Sequence, residues 1–445
     1  LRETKMLEPL KNATYRHLFA AQVIALLGTG LTTVALALLA YDLAGDKAGT
    51  VLGTALALKM VAYVTIAPIV GGLAASLPRK RLLVTLDIAR AGFVLCLPFV
   101  SEIWQIYLII FLMQSCSAGF TPMFQATIPD IIPDEKTYTK ALSLSRLAYD
   151  LESLISPALA AAALLVMSFS FLFAFNSVAF LISALLVITA VLPKRKEAKE
   201  VKVVSVWEKI SFGTRAYLAT PRLRGLLALS LAVASAGAMV IVNTVVIVRG
   251  GFGLGEQDVA LAFAAYGGGS MLAAFTLPKL LEHMPDRPVM LGGAIILAIG
   301  LLAGSTVSSF FWLLPVWFLL GSAASLINTP TGRLLRRSSG EKDRPAYFAA
   351  QFSLSHACWL ITYPLVGFLG ASMGITGTFY VLVGIVMLGF VLALLLWPAE
   401  DQAALTHTHK DLDPNDPHLA DAKAVEGGYQ HKHDYVIDHH HKFWP

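Results

Sequence analysis

Histidine and carboxylate are the residues of this chain whose placement can do chemistry. Eight of its eleven histidines fall in the last 39 residues, as His407 and His409, His418, His431 and His433, and His439, His440 and His441. In an extended segment, residues two apart point the same way. Each His-x-His pair can therefore present two imidazoles to one cation, with Asp411, Asp434 and Asp438 offering nearby oxygens. Imidazole with carboxylate suits nickel, cobalt, zinc or copper and does not suit calcium or magnesium. The candidate ligands of the tail are His407, His409, His431, His433, His439, His440 and His441. Their spacing resembles no closed structural zinc site. A solvated, idle tail is the competing reading. The expected state of the tail is a flexible coil of about 45 residues, reaching ~35–40 Å.

A second group lies inside apolar runs, where each charge costs about 2.5–3.5 kcal/mol to insert and so needs a partner or a task. Asp150 and Glu152 stand about 200° apart on one helix and cannot both face one cavity. Arg146, one turn before Asp150, is its natural neutralising partner. Glu152 shares a polar stripe with Ser145, Tyr149 and Ser156, which fits a water-filled path. Further along, Lys59 can neutralise a carboxylate when no cation is bound, Asn243 offers a neutral oxygen, and His356 is a lone intramembrane imidazole. A carboxylate and an imidazole each hold either a proton or a metal, so loading one expels the other. That competition is a mechanism for antiport. A hydrogen-bonded packing role is the competing reading of His356.

The elements that must position these residues span a membrane. Hydrophobic residues make up 56% of the chain and charged residues 14%, against about 25% charged in soluble domains. Twelve apolar runs of about 20 residues each suffice to cross a hydrocarbon core of ~30 Å. Outside the runs, every Lys and Arg except Lys47 and Arg249 lies on the side of the N-terminus. The positive-inside rule then puts both termini, and the histidine tail, in the cytoplasm. The net charge of +5 reflects this topology, and no nucleic-acid partner is expected. Residues 1–15 are polar and lead into a run too long for a signal-peptide core, so the first span is expected to be retained. Cys96, Cys116 and Cys358 all lie within runs and imply no disulfide framework. "GGFGLGE" lacks the Lys-Ser/Thr ending of a phosphate loop, and no hydrolytic triad or His-Glu-x-x-His motif is present. No enzyme activity and no cofactor are expected, and any transport would have to draw on an ion gradient.

The runs form two halves. Pro78 and Pro285, and Pro157 and Pro364, are each 207 residues apart; Thr121-Pro122 and Thr329-Pro330 differ by 208. At that offset Tyr149 matches His356, and Glu152 matches Trp359. Glu152 and His356 are thus expected to face one central axis from opposite halves, with Asp150 next in line. "GGLAASLPRKRLL", residues 71–83, resembles the loop motif of the major facilitator superfamily. Ala75 or Ser76 stands where that family carries an acid, and Pro78 where it carries glycine. The resemblance makes Arg79 a gating residue and leaves Asp87 and Arg90, one turn apart, to take over the missing charge pairing. "SRLAYDLESLISP", "NTVVIVRGGFG", "FSLSHACWLITYP" and the tail resemble the drug-exporter-like branch, and within it bacterial nickel-resistance efflux permeases.

The resemblance implies an all-α membrane protein with twelve transmembrane helices in two pseudo-symmetric six-helix bundles. The expected order is a cytoplasmic N-terminus (1–15), a first bundle (16–192), a cytoplasmic linker (193–221), a second bundle (222–398) and the tail (399–445). It further implies a monomer in the bacterial inner membrane that exports nickel, with cobalt a possible second substrate, in exchange for protons. The alternatives are a proton-coupled exporter of amphipathic drugs or siderophores, and a membrane metal sensor that transports nothing.

Overall fold

The computed structural model describes residues 6–44, 48–73, 77–193, 205–401, 404–409, 417–419, 421–426, 428–438, 441 and 444. Its helices are α1 (Ala13–Ala44), α2 (Ala48–Leu73), α3 (Arg79–Cys96), α4 (Ile103–Ile131), α5 (Glu135–Leu164), α6 (Phe169–Thr189), α7 (Val206–Ala219), α8 (Pro221–Val245), α9 (Glu256–Leu280), α10 (Asp286–Gly304), α11 (Phe310–Asn328), α12 (Thr331–Arg337) and α13 (Arg344–Leu396). Among the described residues ten helices are long and apolar enough to cross a membrane. The charged α5 runs beside them, and α13 counts twice: a straight helix of its 53 residues would be about 80 Å long, far beyond one bilayer. The turn within it is made at Gly374, whose φ of 76° is open to glycine at little cost. The result is twelve spans.

Hydroxyls inside the spans are largely satisfied within their own helix. Thr29, Thr65, Ser115, Ser117, Thr127, Ser230 and Ser235 each donate to the carbonyl four residues back, which is how isolated hydroxyls are carried in lipid. That leaves few polar groups free for interhelical work. One is Trp317, which is fully buried and donates from Nε1 to Thr244 at 2.8 Å.

The halves meet along two seams related by the internal repeat. In one, α2 packs on the first arm of α13; in the other, α5 packs on α9. Ser353 donates to the Val64 carbonyl at 2.6 Å across the first, and Arg146 donates to Ser270 at 2.9 Å across the second. Ser353 and Arg146 are themselves 207 residues apart.

The tail departs from the expected coil. Its described residues form a three-stranded antiparallel sheet in the order β1-β3-β2, with β1 (Ala404–His409), β2 (Lys423–Val425) and β3 (Gly428–Asp434). The alternation in "ALTHTH" and "GYQHKHD" is a strand pattern, and pairing His407 with His431 keeps the histidines of both strands on one face.

Candidate functional site

In the membrane, Lys59, Tyr63 and His356 form a chain of contacts between α2 and the first arm of α13. The Lys59 ammonium lies 5.6 Å from the centroid of the Tyr63 ring one turn on. Tyr63 stands edge-on to the His356 ring, with centroids 4.8 Å apart, and donates to Gln114 of α4 at 2.8 Å. His356 Nδ1 lies 2.7 Å from the Phe352 carbonyl. A carbonyl only accepts, so Nδ1 carries the proton of the neutral ring and Nε2 keeps its lone pair. The imidazole is fixed by its own helix and its ligand atom remains available.

Glu152 is half-buried against α1. A methyl group at Gly30 would lie 2.8 Å from Glu152 Oε1 and closer still to Ser156 Oγ. Along the same stripe Ser145 donates to Gln22 at 3.1 Å. Glycine lets α1 approach this stripe closely at Glu152 and Ser156. Asp150 takes its expected partner: Arg146 reaches it at 3.1 Å. Arg146 also bonds Ser270, so this pair ties α5 to α9 across the halves. Asn243 is buried, donates to the sulfur of Met239 at 3.3 Å and packs against Gly370, away from the Lys59 group.

At the end of the bundle that holds both termini, Arg79 and Asp130 of α4 pair at 2.7 Å, and Arg344 of α13 pairs with the same carboxylate from the other half. Arg333 of α12 bridges Glu135 at 2.6 Å and Asp286 at 3.1 Å, and Arg336 donates to the Pro133 carbonyl. Glu135 and Pro133 belong to the first half and Asp286 to the second, so this clamp joins the halves at that end. Sequence reasoning missed Asp130, Glu135, Asp286, Arg333 and Arg344; the signal was an acid at the close of the fourth span, opposite the basic loop. Asp87 and Arg90 do pair, and Ser183 donates to Asp87 at 2.8 Å. Arg90 also lies over Phe120 and Phe180. These contacts all lie inside the first half. The pair fixes packing there, and the cross-half pairing falls to Asp130. Ala75 and Ser76 lie outside the described residues.

The tail brings six imidazoles together: His407, His409, His418, His431, His433 and His441, with one ligand atom of each all within 4.8 Å of one another. His418, which was not among the expected ligands, belongs to the cluster; His439, His440 and Asp411 lie outside the described residues. Burial, partly offset for His407 by the Leu405 carbonyl and reinforced by the other rings, lowers the pKa of His407 and His431. Both therefore favour the neutral form that binds metal.

The model of the Major Facilitator Superfamily matches residues 18–246 and 227–425. An uncharacterized MFS-type transporter of Bacillus subtilis, YfiS, is 27% identical over 331 residues, 70% of this chain and 76% of its own length. Macrolide efflux protein A of Streptococcus pyogenes is 28% identical over 149 residues, 32% of this chain and 36% of its own. Among solved structures, the human organic anion transporter MFSD10 superposes with a TM-score of 0.74 at 13% identity, covering 85% of this chain and 98% of its own.

Proposed function

The chain belongs to the major facilitator superfamily, and on that premise we propose that it exports divalent transition-metal cations, nickel foremost and cobalt second, in exchange for protons. The observation that carries the reading is His356, an intramembrane imidazole beside the Lys59–Tyr63 pair, whose Nδ1 is held by the Phe352 carbonyl and whose Nε2 is bare; Glu152 is taken as its carboxylate partner from the other half. An ammonium stabilises Glu152 as a carboxylate while no cation is present, and an arriving cation displaces it. A proton held by Glu152 or His356 Nε2 must leave to the cytoplasmic side before the same atom takes the metal, and a proton from the outer side takes that atom back as the metal is released outward. Asp150 with Arg146 acts as the adjoining charge pair, and Asn243 as a packing residue of the same core.

In this reading the termini are cytoplasmic, the membrane is the bacterial inner membrane, and the chain acts as a monomer. The Asp130 and Arg333 clamps then close the cytoplasmic end, and halves that rock about a central site open at the other. Arg79 serves the clamp. The tail histidines hold the same kind of ion beside the cytoplasmic mouth as an accessory to transport.

Inside-out vesicles carrying the chain and given an acid interior are expected to accumulate nickel, and Glu152→Gln is expected to abolish the uptake. Undiminished uptake by that variant would remove Glu152 from coupling. The similarity to Macrolide efflux protein A over 149 residues favours one rival, export of amphipathic drugs. Macrolide or dye resistance with no change in metal tolerance would decide for it.

A further inference from the structure

We propose that the six tail histidines form one octahedral site for a single divalent first-row cation, and that filling it folds the tail and latches it onto the cytoplasmic ends of the C-terminal half.

Proton positions come first. His407 Nδ1 lies 3.1 Å from the Leu405 carbonyl, His433 Nδ1 2.8 Å from the Asp434 carbonyl, and His441 Nδ1 2.9 Å from the Asp438 carboxylate. All three partners accept, so each Nδ1 carries a hydrogen and each Nε2 of the neutral rings is a bare lone pair. Yet His441 Nε2 and His407 Nε2 are 3.0 Å apart. Two lone pairs at that distance repel unless a cation lies between them. His433 Nε2 is buried with no hydrogen-bond partner, as a ligand atom aimed at a metal would be.

The spacing then selects the geometry. Neighbouring Nε2 atoms stand 3.0 to 3.2 Å apart around His407, His409, His418, His431 and His441. With metal–nitrogen bonds of ~2.1 Å, an octahedral ion sets neighbouring nitrogens about 3.0 Å apart; a tetrahedral ion sets them about 3.4 Å apart and accepts only four. Zinc is satisfied by four ligands and copper(II) prefers tetragonal sites. Of the ions that take six nitrogens evenly, nickel stands highest in the affinity order.

Docking follows from where the ligands sit. His433 and His441 bracket Tyr435 and Ile437, which are 6% and 4% exposed and join the core of the C-terminal half. The Ile437 carbonyl accepts from the Tyr347 hydroxyl at 3.0 Å, and Trp444 lies 5.1 Å from the Arg222 guanidinium. A cation that holds both histidines closes this segment as a loop over Tyr347. Tyr347 is one turn beyond Arg344, whose guanidinium grips Asp130 in the other half. Where the tail begins, Asp401 receives Arg222, Arg337 and Trp397. So short a segment has too little core to fold unaided, and metal binding supplies the folding energy. A loaded tail thereby favours the clamped state. The site stands apart from the export reading; only the consequence for transport rests on that reading.

The test uses the full-length chain in detergent, carrying His356→Ala so that the tail alone is read. One nickel ion per chain is expected, with X-ray absorption showing about six nitrogens at ~2.1 Å, and binding tighter for nickel than for zinc. Hydrogen exchange should slow in residues 404–409, in 428–434 and around Tyr347 when nickel is added. Adding His418→Ala should weaken binding at least about tenfold while the membrane helices keep their melting temperature. Two or more ions per chain, a four-coordinate shell, unchanged exchange, or a His418→Ala variant that binds as before would overturn the proposal. Nickel uptake by vesicles bearing the unaltered chain is scored separately. Uptake without this site, or this site without uptake, shows which of the two ideas has failed.

Discussion

At positions 207 residues apart, the N-terminal half carries Lys59, Arg146, Asp150 and Glu152 where the C-terminal half carries Tyr266, Ser353, Ala357 and Trp359. The backbone frame is shared. Gly30 admits Glu152 and Ser156 against α1, and Gly237, 207 residues later, admits the Trp359 ring against α8. One half uses the slot for a carboxylate and the other fills it with an indole. His356 is the exception that the C-terminal half supplies, at the position where the first half has Tyr149. The two copies keep one packing rule, and the charged residues Lys59, Arg146, Asp150 and Glu152 stand on one of them. Intramembrane charge is costly, so each charged group beyond what a task requires would be a loss in stability.

The strongest way to break this comparison is to exchange the occupants of the slot. Glu152→Gln keeps the volume and removes the titratable group; proton-driven nickel uptake should fall at least about 100-fold, the scale of a lost proton-transfer group. Trp359→Phe, at the mate position, should leave uptake within about threefold, as expected of a volume-reducing core change. Equal losses from the two would show that the slots are both structural.

A second test concerns the clamp, where the halves cooperate. Asp130→Asn leaves Arg79 and Arg344 facing each other without their shared carboxylate, a loss of about 3–5 kcal/mol for buried pairs, somewhat less here because the three side chains are 9–15% exposed. The clamped state should give way. Leu142, which packs beside Gly332 of the other half, is the reporter: in a Leu142→Cys background, Asp130→Asn should speed alkylation. No change in rate would mean the halves are held by other contacts.

The Arg146–Asp150 pair separates neutralisation from coupling. Arg146→Met alone strands a buried carboxylate and should lower the melting temperature. Asp150→Asn added to it should recover most of the loss, since removing both charges is often neutral. Transport that stays lost while stability returns would assign the pair a part in coupling.

How much of this could be read from the sequence depends on how local the causes are. The spans, the repeat and the Arg146–Asp150 pair follow from residues within one helix or at one fixed offset, and each was legible. Asp130 escaped because its partners, Arg79 and Arg344, are 51 and 214 residues away, and only the closed bundle puts them together. The tail failed as a coil for a similar reason. Its alternating pattern was visible, but His418 enters the cluster from a single turn between strands, and strand order β1-β3-β2 is a matter of tertiary pairing. The close approach of α1 to the polar stripe of Glu152 was not legible, since the glycine that permits it lies 122 residues earlier in the chain.

Those glycines give the finest test of the two halves, and the smallest effect. An added methyl at Gly30 meets the ends of Glu152 and Ser156, both of which can rotate away; at Gly237 it meets the rigid six-membered ring of Trp359, 3.1 Å from Cζ3 and nearer to Cη2. Overpacking costs typically ~1–3 kcal/mol. Gly237→Ala should lie toward the upper end, seen as a lower melting temperature with uptake per folded molecule retained. Gly30→Ala should cost less stability and more transport, because the side chain it displaces is the proposed proton and metal carrier. A variant pair with that order reversed would mean that Trp359, and not Glu152, is the occupant whose position matters to the cycle.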